Sequence, residues 1–205
     1  ISAEITNFGG ADTASADLIL SGDVTLILKD TNTSHVFTAQ SITVKDGSKA
    51  MISNDAADLQ FVVSNKLHSP FELGDEAALT LKGKKVQGFS TLQLSGKGTL
   101  VLETPVTVGG LHITDGGTLV VSTDNALRLV DNNLTIAKGN LVINGEGFNT
   151  ATDRTLTLTD GNLTLNKPLG AKFTMVVISG DLKVAGEGKI GDDSTPDGQV
   201  ELKAY

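Results

Sequence analysis

DGGTLVV at residues 115–121 is followed by KGNLVI at 138–143, DGNLTL at 160–165 and GDLKV at 180–184. Each copy sets a glycine beside a small polar residue and then a short apolar run, and the spacing between copies decides the fold. From Leu92, Leu94, Leu100 and Leu102, a shift of 19 lands on Leu111, Ile113, Leu119 and Val121. Shifts of 23, 23, 22 and 22 lead on to Leu134, Ile136, Leu141 and Ile143, and a uniform 22 reaches Leu156, Leu158, Leu163 and Leu165. Val176, Ile178, Leu182 and Val184 form the last clear copy. In the other direction, Phe71, Leu73, Leu79 and Leu81 stand 21 residues before the Leu92 set, and Ile42, Val44, Ala50 and Ile52 a further 29 before those. Leu18, Leu20, Val24 and Leu26 make the earliest copy. First pairs begin at 18, 42, 71, 92, 111, 134, 156 and 176, so seven steps cover 158 residues at a mean of about 22.6.

That period accommodates two or three short strands and their turns, which is one coil of a β-solenoid. A single coil buries little apolar surface. Stacking puts Leu over Leu at the ~4.8 Å strand spacing, so about eight coils of ~22 residues predict a rod of roughly 35–40 Å. The glycines are expected at corners with positive φ, where Gly carries no steric cost and Asn or Asp little. A looser apolar patch follows each second pair: Val36 and Phe37, Phe61 and Val63, Val86, Val106 and Val108, Leu127 and Leu129, Phe148, then Leu169 and Phe173. It predicts a third wall and a triangular cross-section. The expectation is one all-β domain over residues 1–205, with coils over 17–190, an N-terminal cap or cut edge over 1–16 and a C-terminal edge over 191–205. An antiparallel sandwich also has short strands and frequent turns, but uniform shifts at four positions favour the solenoid.

Composition narrows the partners. Seven Phe, one Tyr and no Trp leave the core to Leu, Val and Ile. A net charge of −8 argues against nucleic acid, whose phosphates an acidic chain repels. Zero cysteines exclude disulfides, thiolate metal sites and cysteine nucleophiles, and suit a chain that crosses an oxidising periplasm. No apolar run approaches the roughly 20 residues of a membrane helix. Ile1 stands where an initiator Met would, so the sequence reads as a mature or trimmed piece of something longer.

Chemistry-bearing motifs are few. GEGKIG at 186–191 has the GxGxxG spacing, yet DDSTPDG follows it and cannot start the helix that cradling a phosphate requires. Asp192, Asp193 and Asp197 match neither the twelve-residue calcium loop nor the glycine-rich nonapeptide repeat, and read as a solvated loop. His35, His68 and His112 fall in different coils without metal-ligand spacing. The sequons at Asn32, Asn133 and Asn162 read as chance, two of them leading into core strands. Glycan-active β-helices pair carboxylates, usually with aromatic platforms, and Tyr205 is a poor platform. No catalytic residue, metal or cofactor is expected. The step of 29 marks an insertion, and VVSNKLHSPFELGDEAA at 62–78 is the candidate binding loop, with Lys66, His68 and Glu72 as its candidate contacts.

The glycine-punctuated copies, among them DGGTLVVSTDNALRLVDNNLTIAKGNLVINGEG, resemble the passenger regions of bacterial autotransporters and related secreted β-helix adhesins, over about residues 18–190. The resemblance implies a right-handed parallel β-helix, exported through the periplasm and displayed on a bacterial surface or secreted. It also implies a non-catalytic adhesive role toward a host-cell surface, matrix or a sister rod, and a parent chain carrying an outer-membrane translocator barrel. A phage or cell-envelope appendage and a small glycan lyase or hydrolase are the alternatives. Chlamydial polymorphic outer-membrane proteins are less similar: only GGAD at 9–12 resembles one of their motifs, and FxxN is absent.

Overall fold

The computed structural model describes residues 1–5, 16–29, 36–54, 60–63, 69–83, 86–124, 127–129, 134–145, 149–150, 154–166, 173–184 and 202–204. Every regular element among them is a β-strand. Each strand pairing is parallel and joins segments about one coil apart in the chain. The molecule is a β-solenoid, and the sandwich alternative fails because antiparallel pairs are its defining contacts.

One coil shows the path. Thr99–Glu103 lies on what we call the second wall, and Thr104 and Pro105 turn its corner. Val106–Ile113 then covers two walls. Its start pairs with Leu127–Leu129 on the third wall, and its end pairs with Leu134–Ala137 on the first. A turn over residues 115–116 brings the chain back to the second wall as Thr118–Val121, directly over Thr99–Leu102. Three parallel ladders per coil follow. The terminal segments join them: Ser2–Ile5 pairs with Thr25–Leu28, and Leu202–Ala204 with Val176–Ile178.

Alternation along each strand sends every second side chain inward. On the second wall Leu79, Leu100, Leu119, Leu141 and Leu163 form one fully buried column, and Leu81, Leu102, Val121, Ile143 and Leu165 form the next. Each such side chain taken from water contributes roughly 1.5–3 kcal/mol, which is why four branched aliphatics per coil hold a strand set with almost no aromatic. The shifts of 19, 22–23 and 22 running up from Leu92 all appear as Cα partners.

Two sequence expectations need correction. Phe71 pairs with Leu94, not with Leu92, so the first-wall offset there is two residues longer than the uniform 21, while Leu79 and Leu81 keep theirs beneath Leu100 and Leu102. A two-residue slip leaves inward and outward faces unchanged, so apolar spacing cannot detect it. The slip is absorbed in the turn at 96–98, where Gly96 takes φ +79 and a Cβ on Gly98 would lie 2.6 Å from the Cβ of Leu73.

The second correction concerns the recurrent glycine. In KGN and DGN the positive φ belongs to Lys138 (φ 55) and Asp160 (φ 50), one residue earlier. Gly139 and Gly161 are instead buried inside the corner. A Cβ there would lie 2.5 Å from the Ile113 Cγ2 and 2.7 Å from the Ile136 Cγ2 respectively. The backbones climb through the same spot, with Asn140 N donating to Gly117 O and Asn162 N to Gly139 O, both at 2.8 Å. Close approach of stacked coils, rather than backbone handedness, demands glycine at these two positions.

Candidate functional site

Outward positions carry whatever recognition a filled solenoid performs, since its interior is closed by side chains. On the second wall they form ordered columns. Thr80, Val101, Val120, Val142 and Thr164 stand in register one above another, every one half-buried. Beside them run Ala78, Thr99, Thr118, Asn140 and Asn162. The Asn140 amide donates to the Thr118 hydroxyl at 3.1 Å, and the Asn162 amide donates to the Asn140 carbonyl oxygen at 2.7 Å. At the end of the same strands the Asn166 amide donates to Asn144 at 2.7 Å. Such hydrogen bonds between equivalent side chains fix rotamers, so the face presents preset hydroxyl and amide groups at strand spacing.

Neither of these two columns carries an ionisable group between Ala78 and Thr164. The flanking column has Lys82 paired in register with Glu103. Charge concentrates instead on the corner between the first and second walls, where Asp46, Asp75, Glu76, Lys97, Asp115, Lys138 and Asp160 are all exposed. There Lys97 Nζ meets Asp75 Oδ2 at 3.1 Å and the Asp46 carboxylate accepts from the Asp75 backbone N–H at 3.0 Å. Both Lys97 and Asp75 are well solvated, so their ion pair contributes little.

Of the candidate contacts, Glu72 is exposed in the middle of the strand Ser69–Leu73, between Thr43 and Ser95 on the outside of the first wall. Lys66 and His68 lie outside the described residues, as do His35, GEGKIG and the acidic stretch at 192–197. Val62, Val63 and residues 69–73 of the proposed loop are strand residues. His112 is exposed on the first wall between Gln93 and Thr135. Among the described residues no group of three or more His, Asp or Glu is placed to hold a metal ion, and no helix is long and apolar enough to cross a membrane. An open groove at the Ile1 end of the second wall is lined by Asp23, Lys49, Met51 and Thr80 with their neighbours. Asp23 is the one carboxylate among the described residues that line it.

Comparison with protein-family models, curated proteins and solved structures gave no match. The sequence leads one to expect adhesive ladders of Thr and Asn on flat walls, but it does not say that the second wall carries them or that valines stand among them. The signal was present in TLVLE, TLVV and NLVI, whose alternate residues Val101, Val120 and Val142 are apolar yet face outward.

Proposed function

We propose that this chain is a non-catalytic β-helical rod, serving as spacer and adhesive module of a larger bacterial protein that is surface-displayed or secreted. The observation that carries the reading is the second wall, whose two central columns hold no ionisable group from Ala78 to Thr164 and present hydrogen-bonding groups in register from coil to coil. Such a surface gives many weak contacts along a line, and many weak contacts sum to firm attachment when rods are presented together. The absence of cysteine and the resemblance to autotransporter passengers support export through the periplasm and a parent chain with an outer-membrane barrel. The partners in this reading are a host-cell surface, matrix or a sister rod, with no cofactor and no nucleic acid.

Beads coated with the purified chain test it directly. They are expected to adhere to cells, to matrix or to one another, and a Val120→Lys chain is expected to adhere less. Beads that attach no better than albumin-coated ones, or a chain that shortens members of a glycan panel, would overturn the reading.

A further inference from the structure

Asn144 precedes Gly145, and no other asparagine of the chain stands before a glycine. Asparagine is thermally labile, and most so in this dipeptide, because a glycine nitrogen reaches the neighbouring side-chain carbonyl unhindered by a Cβ of its own. Packing explains why the glycine is there. Gly145 is buried where the chain leaves the second wall, and a Cβ on it would collide with the Thr123 carbonyl group and lie 2.8 Å from Asp124 N. Asn144 itself is exposed.

The two groups that would react are tied to opposite neighbours in the stack. Asn144 Oδ1 accepts from the Asn166 amide at 2.7 Å, in the coil that places Leu165 over Ile143. Gly145 N donates to Val121 O at 3.2 Å, in the coil on the other side, and Asn144 N donates to the same oxygen at 2.8 Å. Ring closure needs that nitrogen to lose its proton and swing onto Asn144 Cγ, and both ties oppose the movement. We propose that Asn144 is a covalent modification site gated by the stack, protected while its coil is closed and converted to aspartate or isoaspartate when the coil opens.

In the opened coil hydroxide takes the proton from Gly145 N and the nitrogen bonds to Asn144 Cγ. The Cγ–Nδ2 bond then breaks, and ammonia departs with a proton from water, leaving a cyclic imide. Water adds to either imide carbonyl. Cleavage of the bond from Cγ to nitrogen gives aspartate, whose carboxylate still accepts from the Asn166 amide. Cleavage at the backbone carbonyl gives isoaspartate, in which the main chain runs through Cβ and is a methylene longer. Thr123 leaves no room for that addition, and Gly145 N is carried away from Val121 O, so the coil cannot seat again. Opening of this coil is thereby fixed in covalent form, whatever the rod attaches to.

The test holds the purified chain at mildly alkaline pH for weeks, folded and in guanidinium chloride, and follows the peptide containing Asn144 by mass spectrometry. Peptide mapping separates Asn144 from the Asp–Gly pairs at Asp46, Asp115 and Asp160, while Asn140 and Asn162, each followed by leucine, serve as slow internal controls. Conversion of Asn144 in the folded chain is expected to be slower than in the unfolded chain by at least about tenfold. Ile143 is fully buried beside the site, and Ile143→Val should loosen the coil without unfolding the rod and speed folded conversion roughly 2–12-fold. Chains carrying isoaspartate, separated by chromatography, should unfold at lower urea than the parent, whereas Asn144→Asp should keep the parental midpoint. Equal rates in the folded and unfolded chain, an Ile143→Val chain that converts at the parental rate, or an isoaspartate chain as stable as the parent would each overturn the proposal. None of these results bears on attachment, which the coated beads test separately.

Discussion

Replacing Gly139 with alanine separates two explanations of the recurrent glycine. Gly139 has no left-handed φ, so alanine meets no backbone penalty and its narrower unfolded ensemble favours folding by about 0.4–1 kcal/mol. Against that, the new methyl lies 2.5 Å from the Ile113 Cγ2 and 3.0 Å from the Gly117 carbonyl oxygen. Carbon contacts settle near 3.5–4.0 Å, so roughly 1 Å of overlap must be relieved. The coil is tied on both sides, Asn140 N donating to Gly117 O at 2.8 Å and Lys138 N to Thr159 O at 2.9 Å, and cannot simply rise. Overpacking of this kind costs about 1–3 kcal/mol, leaving a net loss centred at about 1.3 kcal/mol, within a range of about 0–2.6 kcal/mol, after the entropic gain. Urea unfolding should show a lower midpoint at unchanged slope. In an Ile113→Ala background the methyl that clashes is gone, and the same substitution should cost little or become favourable, a coupling of about 1 kcal/mol or more in the double-mutant cycle. A Gly139→Ala chain more stable than the parent, or a cost unaltered by Ile113→Ala, would refute close approach as the reason for the glycine.

Three further outcomes follow from neighbouring positions. The Thr104 hydroxyl oxygen is fully buried at the corner before Pro105 with no hydrogen-bond partner, so Thr104→Val should raise stability by about 1 kcal/mol in the same assay. Leu119 is fully enclosed between Leu100 and Leu141, and Leu119→Ala should cost about 2–5 kcal/mol, read from the shift in urea midpoint. Lys138 holds φ 55 with an exposed side chain; Lys138→Gly should therefore leave thermal unfolding unchanged or raise its midpoint, since the relieved left-handed strain of about 1 kcal/mol is offset by glycine's larger unfolded freedom.

The ladder of coils was legible because inward positions obey a period of two and recur at one shift; Leu119 over Leu100 and under Leu141 could be written down from the sequence alone. Phe71 was misplaced by two residues because a slip of two changes no side chain's face, and only the short turn around Gly96 and Gly98 carries the difference. Gly139 and Gly161 were located correctly and explained wrongly, whereas Gly22, Gly47, Gly96 and Gly116 do hold the positive φ expected of corner glycines. Composition marks where a side chain is excluded, but whether the exclusion is torsional or a collision with the Ile113 methyl depends on the coil below. The candidate face was hidden for a related reason. Outward valines at 101, 120 and 142 look like ordinary strand residues until register puts them in one line. No charged or aromatic cluster marks the face.

All three ladders run their hydrogen bonds along the rod, each joining one coil only to its immediate neighbours. A tensile load applied at the two ends would therefore fall on one end coil at a time, as in a zipper, instead of being shared by many bonds in shear. Such a rod yields at modest force in steps of about one coil, lengthening by tens of ångströms with each release. If it tethers two bodies, it would act as an extensible shock absorber whose coils can close again in order when the load drops.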